Sequence, residues 1–294
     1  MAESCCAAEA PFVQTIAEAT SHEAVSSRYF CLRLRCPEIA RRARPGQFVM
    51  LACAEDVGGH SEPLLPRPLA IMDARNDEIE LLYFTSGLGT QTLRRTCETA
   101  LVRGTELPLR SNFARLRIIG PLGRGFAPLP NVDAHIALGG GSGVAPLVFF
   151  FRQNAASSPQ NWHLILAARS ADQLARNDVV AVPGVVHLAT DDGSAGFKGT
   201  AVASLESLLS NELKNKRVGI YAAGPEPMML AAAKIARRQN LPACVTLEAR
   251  MACGVGVCRA CVVDGVSPHK KTGLHRRTVC QDGPVFNIDE LAGW

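Results

Sequence analysis

The sequence predicts a multi-domain β plus α/β protein: an N-terminal antiparallel β-barrel, a central parallel-sheet domain that binds a nucleotide, and a small C-terminal segment organised by cysteines. Three observations predict it. Short β-rich runs punctuated by Pro and Gly fill residues 12–125, strand and helix patterns alternate from about residue 131, and four spaced cysteines mark the C-terminal segment. A chain of 294 residues also exceeds what one compact core usually organises.

The first domain is expected over residues 1–130. GQFVMLA (46–52), RPLAIMD (67–73) and EIELLYF (78–84) read as strands, because apolar residues crowd them without helical periodicity. A short helix is expected over GTQTLRRTC (89–97). GLGT (87–90) would open it and offer unpaired N–H groups to a phosphate. Arg67 in RPLAI (67–71) can hold a pyrophosphate through a bidentate guanidinium, or serve only as an exposed cation beside a turn.

The second domain is expected over residues 131–243. HIALGG, HLILAAR, VVHLAT and RVGIYAAG read as strands; VAPLVFFFRQ, AVASLESLL and EPMMLAAAKIARR read as helices between them. Such alternation gives a parallel sheet covered on both faces, with ligands at the carboxyl ends of its strands. GGGSGVAP (139–146) joins the first strand to the first helix. Gly139, Gly140, Gly141, Ser142 and Gly143 there allow a tight turn and a close approach of backbone to a pyrophosphate. A packing turn is the plainer alternative. Arg169 and Ser170 end the HLILAA strand, where they could accept a 2′-phosphate, and no acid is evident at that strand end.

The third segment, 244–294, has little apolar periodicity and is too small to fold on burial alone. Cys253, Cys258, Cys261 and Cys280 are spaced C-x4-C-x2-C-x18-C, the plant-type ferredoxin pattern for a 2Fe–2S cluster. Gly254 and Gly256 let backbone N–H groups wrap an anionic cluster. Zinc also takes four thiolates, but its structural sites favour two C-x2-C-like pairs, and Cys280 stands alone.

The remaining composition excludes several classes. A net charge of +4, from 31 basic and 27 acidic side chains, does not suggest a nucleic-acid partner. No tract is apolar enough to span a membrane, and MAESCCAAEAP lacks the features of a secretory signal, so a cytoplasmic protein is expected. With eleven cysteines and no sign of export, a disulfide framework is not expected, and Cys5, Cys6, Cys31, Cys36, Cys53, Cys97 and Cys244 read as free thiols. Two basic clusters, RRAR (41–44) and HKKTGLHRR (269–277), read as solvated faces. The second lies between two expected cluster ligands, where Lys270, Lys271, Arg276 and Arg277 could steer an acidic partner.

The order RPLAI, LLYFTSGLGT, IIGPLGRGF, GGGSGVAPL, ATDDGSAGFKG, AAGPEPMM, LEARMACGVGVCRACVV and VCQDGPVF runs nearly end to end. It resembles the electron-transfer subunits of NAD-dependent dihydroorotate dehydrogenases, within the ferredoxin reductase superfamily. The resemblance implies an FAD-binding barrel, an NAD-binding domain and a C-terminal 2Fe–2S domain. It places FAD against Arg67, Pro68, Leu69, Ala70, Leu82, Tyr83, Phe84, Gly89 and Thr90, and the nicotinamide near Gly224, Pro225 and Glu226. It implies cluster ligation by Cys253, Cys258, Cys261 and Cys280, and a separate catalytic chain that oxidises dihydroorotate. Three positions depart from the family pattern: Ala70 where Ser is common, Phe84 for Arg, and Ala223 for Cys.

This inventory needs no acid–base pair. A nicotinamide carries two electrons as hydride, a 2Fe–2S cluster takes one at a time, and a flavin does both, so the flavin belongs between them. Two rival readings stay open at this stage. One is a reductase subunit of the same design, using NAD or NADP, that serves a ferredoxin, a hydrogenase or a sulfide-oxidising complex. The other is a sensing module with a structural metal.

Overall fold

The computed structural model describes residues 6–7, 11–55, 62–103, 114–269 and 272–294. A two-residue strand β1 (Cys6–Ala7) precedes β2 (Val13–Ala24), β3 (Tyr29–Arg35), helix α1 (Pro37–Ala40), β4 (Phe48–Leu51), β5 (Arg67–Arg75) and β6 (Glu78–Phe84). Helix α2 (Leu88–Arg103) and β7 (Arg115–Leu122) follow. Strands β2 to β7 close into the expected antiparallel barrel in the order β2-β3-β6-β5-β4-β7. Alternation explains the closure. Phe30, Leu32 and Leu34 of β3, with Ile79, Leu81 and Tyr83 of β6, fill the interior. Leu82 turns the other way and joins the core beneath the central domain.

After β8 (Gly125–Phe126) come β9 (Ala134–Gly140), α3 (Val144–Asn154), β10 (Trp162–Ala168), β11 (Val185–Thr190) and β12 (Phe197–Lys198). They are followed by α4 (Ala201–Ser210), β13 (Val218–Ala223), α5 (Glu226–Arg238) and β14 (Ala243–Thr246). The last segment holds β15 (Val262–Asp264), β16 (Arg276–Thr278), α6 (Val279–Asp282) and β17 (Val285–Asn287). The central sheet has the order β12-β11-β10-β9-β13-β14-β17, parallel except for β17, which runs antiparallel to β14. The chain leaves β9 toward β10 and returns on its other side as β13, which creates a crevice at the carboxyl end of β9. The boundary expected after residue 243 falls inside β14, so the last segment shares two strands, β14 and β17, with this sheet.

Helix α3 is apolar on all sides because it is a wall between two cores. Phe149 packs into the barrel core, while Phe150 and Phe151 pack into the sheet. Its end carries Arg152, which donates to Asp73 Oδ2 of β5 (2.6 Å) and to the Val179 carbonyl (2.9 Å), with Glu80 Oε2 of β6 at 3.4 Å. Arg152, Asp73 and Glu80 keep only 16%, 7% and 13% of their side-chain surface. Removing one member of so buried a network strands charge, so Arg152→Ala should destabilise the protein by about 3 kcal/mol. Urea unfolding measures it; an unchanged midpoint would show that the network does not join barrel to sheet.

Among the described cysteines, Cys244 in β14 departs from expectation: it is disulfide-bonded. Local spacing does not announce such a bond. Cys31, Cys36, Cys53 and Cys97 are free, as expected, and burial pushes the thiols of Cys31, Cys36 and Cys97 up to about 12, which keeps them inert. Cys5 and Cys6 lie outside the residues whose side chains are described. The RRAR cluster is in part a surface: Arg41 pairs with Asp77 at 3.0 Å, and the Arg41 side chain stays largely exposed.

Candidate redox site

A cleft of about 270 Å³ opens where β5 and β6 meet the turn after β9, the end of β13 and the chain after β14. It gathers Arg67, Pro68, Leu69, Ala70, Leu82, Tyr83, Phe84 and Thr90 from the barrel, and Ser142, Gly143 and Gly224 from the sheet. Tyr83 lines it while its ring belongs to the barrel core, its hydroxyl 2.8 Å from His22 Nε2. The bulge between Ile71 and Asp73 ends the regular β5–β6 pairing that carries this floor.

At one end of the cleft the Arg67 guanidinium lies across the first turn of α2. A Cβ on Gly89 would stand 2.3 Å from Arg67 Nε, so glycine is required for that contact. Thr90 Oγ1 accepts from the Ser86 N–H at 3.0 Å and fixes the turn. The expected helix over 89–97 is real but begins at Leu88 and continues to Arg103. Its free N–H groups and the guanidinium together favour a pyrophosphate.

At the sheet end, Gly141 adopts φ +59°, and Gly143 lies so close to the end of β13 that an added Cβ would meet the Ala223 carbonyl at 2.4 Å. Gly139 and Gly141 line a neighbouring crevice with Tyr29, Leu166 and Gln173. Gly140 packs under Pro225 and Met228, and Glu226 is exposed in the first turn of α5. The structure therefore separates Gly89, Gly139, Gly140, Gly141, Pro225 and Glu226 from the cleft lining, although each stands beside it in the chain.

Several lining residues were not found by sequence reasoning. Thr246 lines this cleft, and its Oγ1 is buried with no hydrogen-bond partner among the described residues. Glu248 also lines it; the residue is exposed, and local desolvation raises its carboxyl above the usual range. Neither belongs to a spaced motif, so only the fold reveals them. Phe84, which replaces the family's usual Arg, has the Arg28 guanidinium 6.0 Å from its ring centre, so a neighbouring strand end brings a cation back to that side.

The raised Glu248 carboxyl has a consequence for stability. Its folded value lies above the unfolded one, so its favourable contribution is complete below about 4.5 and is lost as pH climbs through the folded value. Glu248→Gln should therefore gain stability relative to wild type as pH rises from about 5 toward 8. Unfolding curves of both proteins across that range would check the sign; parallel curves would show an ordinary carboxyl.

The four cysteines lie close together, Cys258 beside Cys253 and Cys280 beside Cys261. Gly256 N–H donates to Cys280 Sγ (3.1 Å), and the Val255 and Cys258 N–H groups donate to Cys253 Sγ (3.4 Å each). Gly254 and Gly256 have φ of +72° and +78°, which turns these donors inward. Backbone N–H bonds, that of Ala260 foremost, draw the Cys258 thiol down to about 7, while burial pushes Cys280 up to about 12. The donor set and its N–H cradle fit a 2Fe–2S group.

The loop is seated on the barrel. A Cβ at Gly254 would meet Met50 Cγ at 2.4 Å and Leu122 Cδ1 at 3.1 Å, and Met251, two residues before Cys253, lines the cleft. Of the basic residues expected to face a partner, Lys270 and Lys271 lie outside the described residues. Arg277 donates to the Ser267 carbonyl (2.9 Å) and so braces the loop, and Arg276 is exposed, 3.9 Å from Asp264.

An acid does stand near the end of β10, contrary to the sequence reading. Asp172 accepts from Ser170 Oγ (2.5 Å) and Ser27 Oγ (3.0 Å), and those two bonds hold its carboxyl below the usual range. Asp191 and Asp192 follow β11 alongside, their N–H groups bonded to the Ala168 and Arg169 carbonyls. Asp172 escaped notice because it reaches back across a turn.

Comparison with known proteins agrees with this geometry. Residues 248–292 match the iron-sulfur cluster binding domain of dihydroorotate dehydrogenase B. The dihydroorotate dehydrogenase B (NAD(+)) electron transfer subunit of Desulforamulus reducens is 33% identical over 266 residues, covering 89% of this chain and 92% of the relative. That of Geobacillus thermodenitrificans is 32% identical over 277 residues, covering 92% and 95%. Among solved structures, an NADH-dependent reduced ferredoxin-NADP oxidoreductase, described for flavin-based electron bifurcation, superposes with a TM-score of 0.72. It is 25% identical, and the match covers 94% of this chain and 89% of that one. No helix among the described residues is long and apolar enough to cross a membrane. With a barrel, a parallel sheet and a cysteine loop in the same order, and that identity sustained over nine-tenths of its relatives' length, the chain belongs to the family of dihydroorotate dehydrogenase B electron transfer subunits.

Proposed function

We propose that this chain carries electrons between a dihydroorotate-oxidising partner subunit and NAD, in the cytoplasm and in the service of pyrimidine synthesis. One observation carries the reading: the cysteine loop and the cleft share a wall, with Met251 in the cleft lining and Gly254 against Met50 and Leu122 of the barrel. When bound, the nicotinamide supplies hydride chemistry, the cluster single electrons, and the flavin the exchange between them.

The chain's own residues hold and orient these groups. Residues 1–130 would bind FAD, 131–243 NAD, and 244–294 the cluster. Arg67 and the first turn of α2 would grip the FAD pyrophosphate. Leu82, Phe84 and Ala70 would pack the flavin ring, with Thr246 beside it. Gly143 and Gly224 would leave room for a nicotinamide between sheet and barrel. Cys253, Cys258, Cys261 and Cys280 would ligate the cluster. Asp172 favours NAD over NADP, because a charged carboxylate that occupies the Ser170 hydroxyl accepts ribose hydroxyls and repels a 2′-phosphate. No side chain of this chain has to transfer a substrate proton.

Co-expression with an orotate-forming subunit tests the reading. A stable complex that reduces NAD in the presence of dihydroorotate supports it. A second reading has support in the likeness to the ferredoxin-NADP oxidoreductase: NADH-linked exchange with a ferredoxin-like partner. A chain that ignores the orotate-forming subunit but reduces ferredoxin with NADH would replace the first reading with the second.

A further inference from the structure

We propose that His163, His187 and Glu212 form a binding site for a zinc-type divalent ion, at the end of the central sheet opposite the redox cleft. His163 is the second residue of β10 and His187 the third of β11. The parallel register sets His163 against Val185 and Ile165 against His187, so both imidazoles leave the same face of the sheet. Ile165 shares a core with Leu205 and Leu208, which identifies that face as the one α4 covers. The redox cleft lies at the carboxyl ends of β9, β13 and β14 of the same parallel sheet, whereas His163 stands near an amino end.

The two facing nitrogens, His163 Nδ1 and His187 Nε2, are 3.1 Å apart, and the ring planes differ by 17°. Donors bound at about 2.0–2.1 Å to one tetrahedral ion stand roughly 3.3 Å apart, so the pair needs only a small adjustment. Glu212 completes the set from the turn after α4. That turn is pinned by the Leu213 N–H to Leu208 carbonyl bond (2.9 Å) and by the buried Leu213 side chain. One donor atom from each of the three residues lies within 4.8 Å of the others. The Glu212 carboxylate has no hydrogen-bond or ion-pair partner among the described residues, so an ion would displace only the His163–His187 hydrogen bond.

The chemistry fits one class of ion. Two imidazoles and a carboxylate are the donors of zinc sites with three protein ligands, the fourth position going to water. Metal binding needs neutral rings, and imidazole is a common zinc ligand in its neutral form. Lys216 opposes a cation here, since its charge already reaches His163, and it sets an upper limit on affinity. An ion at this place clamps β10 and β11 to the turn behind α4 and touches neither the cleft nor the cysteine loop.

The test uses holoprotein washed with chelator and shown to retain its flavin and iron. Zinc titrated by calorimetry should bind once per chain without iron loss and should raise the Tm. His187→Ala and Glu212→Gln, both at accessible positions, should each weaken binding by roughly tenfold or more and remove the rise, with electron transfer from NADH unchanged. Lys216→Met should tighten binding. The proposal fails if wild type takes up no zinc, if the variants bind it as wild type does, or if zinc enters only as iron leaves.

Discussion

Replacing Cys280 with serine abolishes the iron centre: iron and acid-labile sulfide fall by about tenfold or more, while the yellow flavin absorbance remains. Cys280 is 2% exposed, lies beside Cys261 and receives the Gly256 N–H. A serine hydroxyl is a harder donor and keeps its proton at neutral pH. NADH still reduces the flavin in this variant, but transfer onward to the partner drops to a small fraction of wild type, which stopped-flow spectra of the two absorbance bands would resolve. A Cys280→Ser protein with full iron and sulfide would remove this residue from the ligand set. Without the cluster the loop also loses its internal bracing, so faster proteolysis between residues 253 and 280 should accompany the loss.

The second large effect is expected from a single methyl group. In Gly143→Ala the new Cβ stands 2.4 Å from the Ala223 carbonyl carbon and oxygen and 2.5 Å from the Gly224 nitrogen. These are backbone atoms and cannot swing away, so the turn after β9 must part from the end of β13. Overpacking of this kind costs about 2–3 kcal/mol, and the same displacement opens the place proposed for the nicotinamide. Affinity for NADH should therefore fall by roughly tenfold to a hundredfold, measured by flavin reduction against NADH concentration. Gly87→Ala is the matched control, since nothing lies within 4 Å of its added Cβ. Equal behaviour of the two variants would mean that the turn and the strand end move freely.

Much of the arrangement was legible in the sequence, for reasons that differ by element. The cysteine spacing could be read because a cluster sets the ligand interval locally. The glycines before α3 could be read because a strand, a turn and a helix must follow one another within a few residues. Asp172, Thr246 and Glu248 could not, since their roles depend on which chain ends the fold brings together. Helix α3 showed an unbroken apolar run, which signals burial without saying against what; Phe149 and Phe150 pack into different cores. The Cys244 disulfide was invisible for the same reason, because nothing in local spacing announces it.

Strand β17 (Val285–Asn287) gives the parallel sheet its edge beside β14, and it follows the cysteine loop in the chain. A ribosome must therefore have released that loop before the edge can be capped, and fragments ending short of residue 287 leave β14 with an open flank. Maturation of the two parts is thereby coupled in time: the segment that carries the cysteine loop is also what finishes the parallel sheet.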